Sequence, residues 1–154
     1  MSAFVLGMHL KKRLGAKIRG ENMQRCKYLD DIGLKVCEYG TNFVRVDDTR
    51  MVDWAAERAI YGFDSRETWN LEVMFIEWIY TRVSMYKEKA GYMINTDVHN
   101  IKYRDKQITQ GDAMDLILEL AKAILLDIDN CELFLKNSQE ICDLWKEVLP
   151  YMWW

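Results

Sequence analysis

The chain has 154 residues, half of them apolar, with eight Gly, one Pro, six Trp and a net charge of −3. That balance excludes disordered, collagen-like and low-complexity proteins, and the length suits a single domain with enough apolar area for a core. The small net charge hides an asymmetry: residues 1–28 carry seven basic side chains against Glu21, a net +6, while the rest carries 14 basic and 23 acidic residues, a net −9. A basic arm on an acidic body either suits one end to nucleic acid and the other to a basic protein surface, or lets the two ends neutralise each other in the fold.

Residues 9–29 read as a basic helix, weakened at Gly15 and Gly20 by about 1 kcal/mol each relative to Ala. Residues 30–40 are expected to continue as helix, with Gly40 just past its end. Asn42–Asp47 alternates apolar and polar side chains and reads as one short strand. Asp47-Asp48-Thr49 offers a cap for a helix over Met51–Tyr61. Met51, Trp54, Ala55 and Ala59 share its apolar face with Arg58, whose aliphatic stem can lie along that face with its charge in water.

Gly62-Phe63-Asp64-Ser65 is a turn. Asp64-x-x-Glu67 has the form of a capping box, and Thr68 is a second candidate N-cap. The longest helix is expected over 68–89, with Leu71, Phe75, Trp78, Ile79, Arg82, Met85 and Tyr86 at spacings of three and four. Met74, Ile76 and Tyr80 lie on its other faces, which marks it as central to the fold or buried on two sides. After a loop over 91–100, Ile101–Thr109 reads as a hairpin turning at Arg104-Asp105 without the usual Gly. Thr109-x-x-Asp112 resembles a capping box and opens a helix to about Ile128. Its core face is Ala113, Ile117, Leu120, Ala121, Ile124 and Leu125. The last helix runs over Cys131–Leu149 and is stopped by Pro150. Trp69, Trp78 and Trp145 sit at apolar spacing and are expected in the core. The predicted fold is α+β, a mostly helical single domain with one short strand and a small β-hairpin. Residues 1–28 form a basic N-terminal helical arm and 29–154 a compact, mainly helical body.

The opening ten residues place their charges after the apolar run, the wrong order for a secretory signal. Leu71–Tyr86 and Ala113–Leu126 are interrupted by Glu72, Glu77 and Arg82 and by Asp115, Glu119 and Lys122, so neither is expected to span a bilayer. Cys26, Cys37, Cys131 and Cys142 form no C-x-x-C pair, and His9 and His99 stand alone, so no metal is expected. Reduced, buried thiols of a cytoplasmic protein fit this usage. No phosphate-binding loop is present: Gly15 and Gly20 have the right spacing, but Glu21 stands where its Lys belongs. Asp127-x-Asp129-Asn130 lacks the Gly and terminal Glu of a calcium loop. His99 reads as an exposed loop histidine, and an enzyme would need a pocket setting it beside a carboxylate or thiol. No catalytic, cofactor or metal residues are therefore assigned.

Two sets of binding candidates remain. Lys11, Lys12, Arg13, Lys17 and Arg19 are placed to contact phosphates, with Tyr28 near enough to stack a base. Asp112, Asp115 and Glu119 form an acidic row on one helix face, most simply a solvated face. Trp153 and Trp154 end the sequence; two indoles in water are an aggregation hazard, so they either fold into the core or anchor a partner.

The string Tyr61-Gly62-Phe63-Asp64-Ser65-Arg66-Glu67-Thr68-Trp69-Asn70-Leu71, followed by Phe75, Trp78-Ile79-Tyr80 and Arg82-Val83, resembles a pattern in small proteins of bacteriophages and prophages. The tail is similar too, with Trp145, Leu149, Pro150, Met152, Trp153 and Trp154 matching, as is the Ile108-Thr109-Gln110 step into a helix. The resemblance covers roughly residues 30 to 154. It implies a mobile-element origin and an intracellular setting, and it carries no catalytic residues with it. The expected function is a phage-type, non-enzymatic binding protein, most concretely an anti-CRISPR-like inhibitor of a bacterial defence nuclease. Its partner is then a host or phage protein, such as a CRISPR effector, in the cytoplasm of the bacterial host. The alternative is a nucleic-acid-binding accessory protein using the basic arm. No cofactor and no membrane enters either reading.

Overall fold

A computed structural model describes residues 26–33, 50–68 and 70–152. Their elements are α1 (Lys27–Asp31), α2 (Met51–Tyr61), α3 (Leu71–Ala90), β1 (Asn100–Tyr103), β2 (Lys106–Thr109), α4 (Gln110–Leu126) and α5 (Cys131–Val148). Two 3-10 turns, Ser65–Thr68 and Leu149–Tyr151, precede α3 and follow α5. The class is the expected one, mostly helical α+β with a two-stranded antiparallel hairpin.

α4 is the central helix and packs against both α3 and α5. Its start is fixed by a complete capping box. Asp112 N–H donates to Thr109 Oγ1 at 3.0 Å, and Thr109 N–H donates to Asp112 Oδ2 at 3.3 Å. Ala113, Ile117, Ala121, Ile124 and Leu125 are buried as the spacing predicts, with Leu120 half-buried. α5 opens on Asn130, whose Oδ1 accepts from Leu133 N–H at 3.1 Å. It buries Ile141, Leu144 and Val148 against α4, and the core is completed by Ile76, Ile79 and Val83 of α3, Ile101 of β1 and Leu29 of α1. Burying each such side chain contributes about 1.5–3 kcal/mol.

The hairpin pairs Asn100 with Thr109, Ile101 with Ile108, Lys102 with Gln107 and Tyr103 with Lys106. Its turn is at Arg104-Asp105 as expected, and Arg104 itself takes the positive φ of +54° that Gly would usually supply. Asn130 Nδ2 donates to Asp127 Oδ2 at 3.1 Å, so the acidic Asp127–Asn130 stretch serves as the α4–α5 corner.

Several expectations are corrected. The α3 stripe found at spacings of three and four points mostly outward: Leu71 is 65% exposed, Phe75 39%, Trp78 42% and Met85 52%, and Arg82 is exposed as well. Only Ile79 of that set is buried, with Tyr86 half-buried. The buried arc carries Val73, Met74, Ile76, Glu77, Tyr80, Thr81 and Val83. Both arcs are apolar, so periodicity alone cannot choose between them; the neighbours α1 and α4 do. Trp78 is therefore outside the core, edge-on to the half-buried Trp145 at 6.1 Å. α3 starts at Leu71, and Thr68 Oγ1 donates to the Ser65 carbonyl at 2.8 Å instead of capping it.

On α2, Trp54 and Ala56 are buried while Ala59 is exposed. α1 ends at Asp31 and turns at Gly33, whose φ is +70°, so the described part of 30–40 does not continue as helix. Pro150 lies inside a 3-10 turn that prolongs α5. Cys131 and Cys142 are exposed and Cys26 half-buried, against the expectation of buried thiols. The predicted strand over 42–47, the Asp47–Thr49 cap, Trp69, Trp153, Trp154 and the arm through Arg25 lie outside the described residues. Among the described residues no helix is long and apolar enough to cross a membrane.

Candidate functional site

The corner between α2 and α3 is held by a network of side-chain hydrogen bonds and ion pairs. Gly62 ends α2 with φ +82° and donates its N–H to the Arg58 carbonyl at 3.0 Å. That left-handed step, which glycine adopts without penalty, reverses the chain and delivers Asp64 beneath the turn. The Asp64 side chain is fully buried between two arginines. Its Oδ2 accepts from Arg66 Nη2 at 2.7 Å and from Arg58 Nη2 at 2.7 Å and Nε at 3.2 Å. Its Oδ1 accepts from Arg66 Nε at 2.8 Å and from the Arg66 backbone N–H at 3.2 Å.

Glu67 completes the network. Its Oε1 accepts from Arg58 Nη2 at 2.5 Å and from Asp64 N–H at 3.3 Å. The capping box predicted from Asp64-x-x-Glu67 is thus half-formed. Glu67 makes its return bond, but the Asp64 carboxylate is drawn to the Arg66 N–H and the guanidinium groups, and the box opens a 3-10 turn instead of the long helix. Ser65 N–H is held by Glu57 Oε2 at 2.7 Å. The Arg66 guanidinium lies 4.5 Å from the centre of the buried Trp54 ring, and Arg50 lies 4.8 Å from the same ring.

Burial pushes the Asp64 carboxyl up, but the hydrogen bonds from Arg66 and Arg58 outweigh it and hold the group below the ordinary carboxylate range. Burial likewise pulls Arg58 down, and its bond to Asp64 and the charge of Glu67 more than compensate. A carboxylate so committed has no role as a base. It is an anchor, and what it anchors is an exposed apolar corner: Ile60 is 62% exposed, Tyr61 65% and Phe63 49%. The Tyr61 and Phe63 rings stand 6.2 Å apart at a tilt of 38°. Exposed aromatics on a rigid base are the composition of an interface anchor, because little side-chain and loop entropy remains to be lost on binding. In the sequence, residues 60–63 are the end of a helix and a turn. The signal for a surface anchor was present, since two aromatics flank a turn glycine where polar residues are the norm.

The predicted acidic row shares the exposed face of α4, but two of its three members are occupied. Asp112 closes the capping box and Asp115 pairs with Lys87 of α3. Glu119 alone has no partner among the described residues. Lys11, Lys12, Arg13, Lys17, Arg19, Trp153 and Trp154 lie outside the described residues. Tyr28 is half-buried and packs beside the core. Its hydroxyl donates to Glu88 Oε2 at 2.8 Å, and Lys27 Nζ reaches the same oxygen at 2.9 Å. Those bonds, with help from Lys89, bring the Glu88 carboxyl down to about 2.

His99 is half-buried, not exposed, and stacks on Tyr151 at 4.5 Å. Gln110 braces the same place, donating its N–H to the His99 carbonyl at 2.9 Å and its Nε2 to the Tyr151 carbonyl at 3.2 Å. Cys142 is exposed on α5, and no hydrogen bond joins His99 to a thiol or carboxylate among the described residues. No group of three His, Cys, Asp or Glu side chains there converges as metal ligands. An open groove of about 580 Å³ between β1 and α5, with Lys102, Arg104, Lys136 and Lys146 on its walls, escaped sequence reasoning. Its cations are scattered along two elements, so nothing in the order of residues brings them together. Arg104 and Tyr103 both bond Glu140 within it, the former at 2.7 Å. Comparison with protein-family models, curated proteins and solved structures finds no match.

Proposed function

We propose that this chain is a non-enzymatic binding protein acting by protein–protein contact, most concretely as an inhibitor of a bacterial defence nuclease of the anti-CRISPR type in the host cytoplasm. The observation that carries the reading is the exposed Ile60-Tyr61-Phe63 corner seated on the buried Asp64–arginine network. Aromatic side chains on a preorganised base dominate binding energy at interfaces. The excess of acidic residues over 29–154 adds a steering field toward basic surfaces such as a nucleic-acid channel. The resemblance of the Tyr61–Leu71 string to phage proteins supplies the setting.

The test is a cleavage assay with purified effector and its DNA substrate. The intact protein is expected to suppress cleavage, and the Tyr61→Ala/Phe63→Ala double variant to lose suppression while unfolding at nearly the same temperature. Full cleavage at a large excess of intact protein rejects inhibition of that effector. Affinity capture from bacterial lysate, with and without nuclease treatment, separates the alternative. Capture that vanishes with nuclease points to nucleic acid and to the basic arm.

A further inference from the structure

We propose that α3 pairs antiparallel with α3 of a second copy of this chain along its outward stripe, forming a two-fold dimer. The proposal stands apart from the aromatic corner and does not rest on it. Apart from Glu72 at its start, the exposed side chains of α3 fall at Leu71, Phe75, Trp78, Arg82, Met85 and Lys89, with successive spacings of four, three, four, three and four. That is the 3.5-residue repeat of a helix seam, here about 27 Å long at 1.5 Å per residue. It runs along a helix whose other arc is already in the core, and among the described residues Trp78 meets Trp145 of α5 at its flank.

The chemistry along the seam selects the occupant and its direction. In a parallel pair Arg82 would meet Arg82 and Lys89 would meet Lys89, two like-charge layers. In an antiparallel pair each layer joins unlike residues. Trp78 faces Arg82 of the second copy, Phe75 faces its Met85, and Leu71 faces its Lys89. The middle layers are then guanidinium on indole and thioether on phenyl, both favourable contacts. Arg82 already lies 5.7 Å from the Trp78 ring of its own helix and meets no acidic side chain among the described residues, so an indole across the seam gives it a second face. At each end Glu72, which has no partner among the described residues, stands next to Leu71 and within the layer of the opposing Lys89. Lys89 is exposed, and among the described residues it bonds its neighbour Glu88 alone, at 3.2 Å. The stripe is therefore complementary to itself when reversed, the property a two-fold interface requires.

Sedimentation equilibrium of the full chain over a wide concentration range tests this. A dimer of twice the chain mass is expected. Arg82→Glu is expected to raise the dissociation constant by about tenfold or more, since it sets a carboxylate on the opposing indole face. Glu72→Lys and Lys89→Glu singly place like charges at both ends and should weaken the dimer, whereas the Glu72→Lys/Lys89→Glu double exchange should restore it. All three positions are on the surface, so thermal unfolding of the monomer serves as the control for folding. A monomer at every concentration overturns the proposal, as does a dimer indifferent to Arg82→Glu. A double exchange no tighter than the singles overturns the antiparallel pairing.

Discussion

Asp64→Asn removes one charge and almost no volume from the corner, which makes it a clean perturbation. The carboxylate accepts five hydrogen bonds, three from Arg66 and two from Arg58. The Arg66 side chain is only 4% exposed, so the substitution leaves its charge in the interior without the carboxylate that balances it. Breaking a buried pair from one side costs about 3–5 kcal/mol. The Asn carbonyl still accepts from one guanidinium, so the lower end, about 3 kcal/mol, is expected. For a chain of this size each kcal/mol moves the melting temperature by about 2–4 °C, hence a drop of about 6–12 °C by calorimetry. The pH dependence carries the sign. The folded-state pKa of Asp64 is lowered, so its contribution is fully present above the unfolded value of about 3.9 and is lost as pH falls through the folded pKa. The gap between the intact protein and the variant should therefore be widest near neutrality and close in acid. A melting temperature within about 2 °C of the intact protein at pH 7 would refute the account of Asp64 as the anchor of the corner.

Leu29→Ala is expected to cost about 2–5 kcal/mol in urea unfolding, because Leu29 is fully buried among residues of α3 and α4; a loss below 1 kcal/mol would mean that α1 is not docked on the body. Thr109→Ala should cost about 0.5–2 kcal/mol through loss of the capping box, while Thr109→Ser should recover most of it. Carbon-13 NMR titration should find the Glu88 carboxyl titrating near 2, and Lys27→Met should move it upward toward the ordinary value of about 4.3. An unmoved Glu88 titration in that variant would remove Lys27 as the cause.

α4 was legible from its residues because three signals agree: the Thr109-x-x-Asp112 cap, a single apolar face and a hairpin leading into it. The hairpin was legible even without a turn glycine, since Ile101 and Ile108 sit where a two-residue turn pairs them. α3 was legible as a helix but not in orientation. Leu71, Phe75, Trp78 and Met85 look like a core face, yet Ile76, Ile79 and Val83 take that role, because helix neighbours are decided by tertiary packing and not by spacing. The corner was legible only as a turn. Nothing in a sequence announces that Arg58 and Arg66, on different elements, will converge on one carboxylate, since side-chain charge pairing across a reversal depends on where Gly62 aims the chain. The acidic row was legible as an exposed face, but not the local partners of Asp112 and Asp115, which spacing does not reveal.

The corner has a kinetic consequence. Arg58, Asp64, Arg66 and Glu67 lie within ten positions of one another, so their network closes a very short loop and needs little chain entropy to form. α3, α4 and α5 are likewise successive in the chain, the hairpin joining the first two and a four-residue corner the last two. The α1 contact is of another kind, because Lys27 and Tyr28 meet Glu88 some sixty residues along the chain. Local contacts of this sort form first, and the distant one closes a large loop with only a few side chains to reward it. The corner is thus expected to order early, and α1 to dock afterwards onto a body whose aromatic corner is already set.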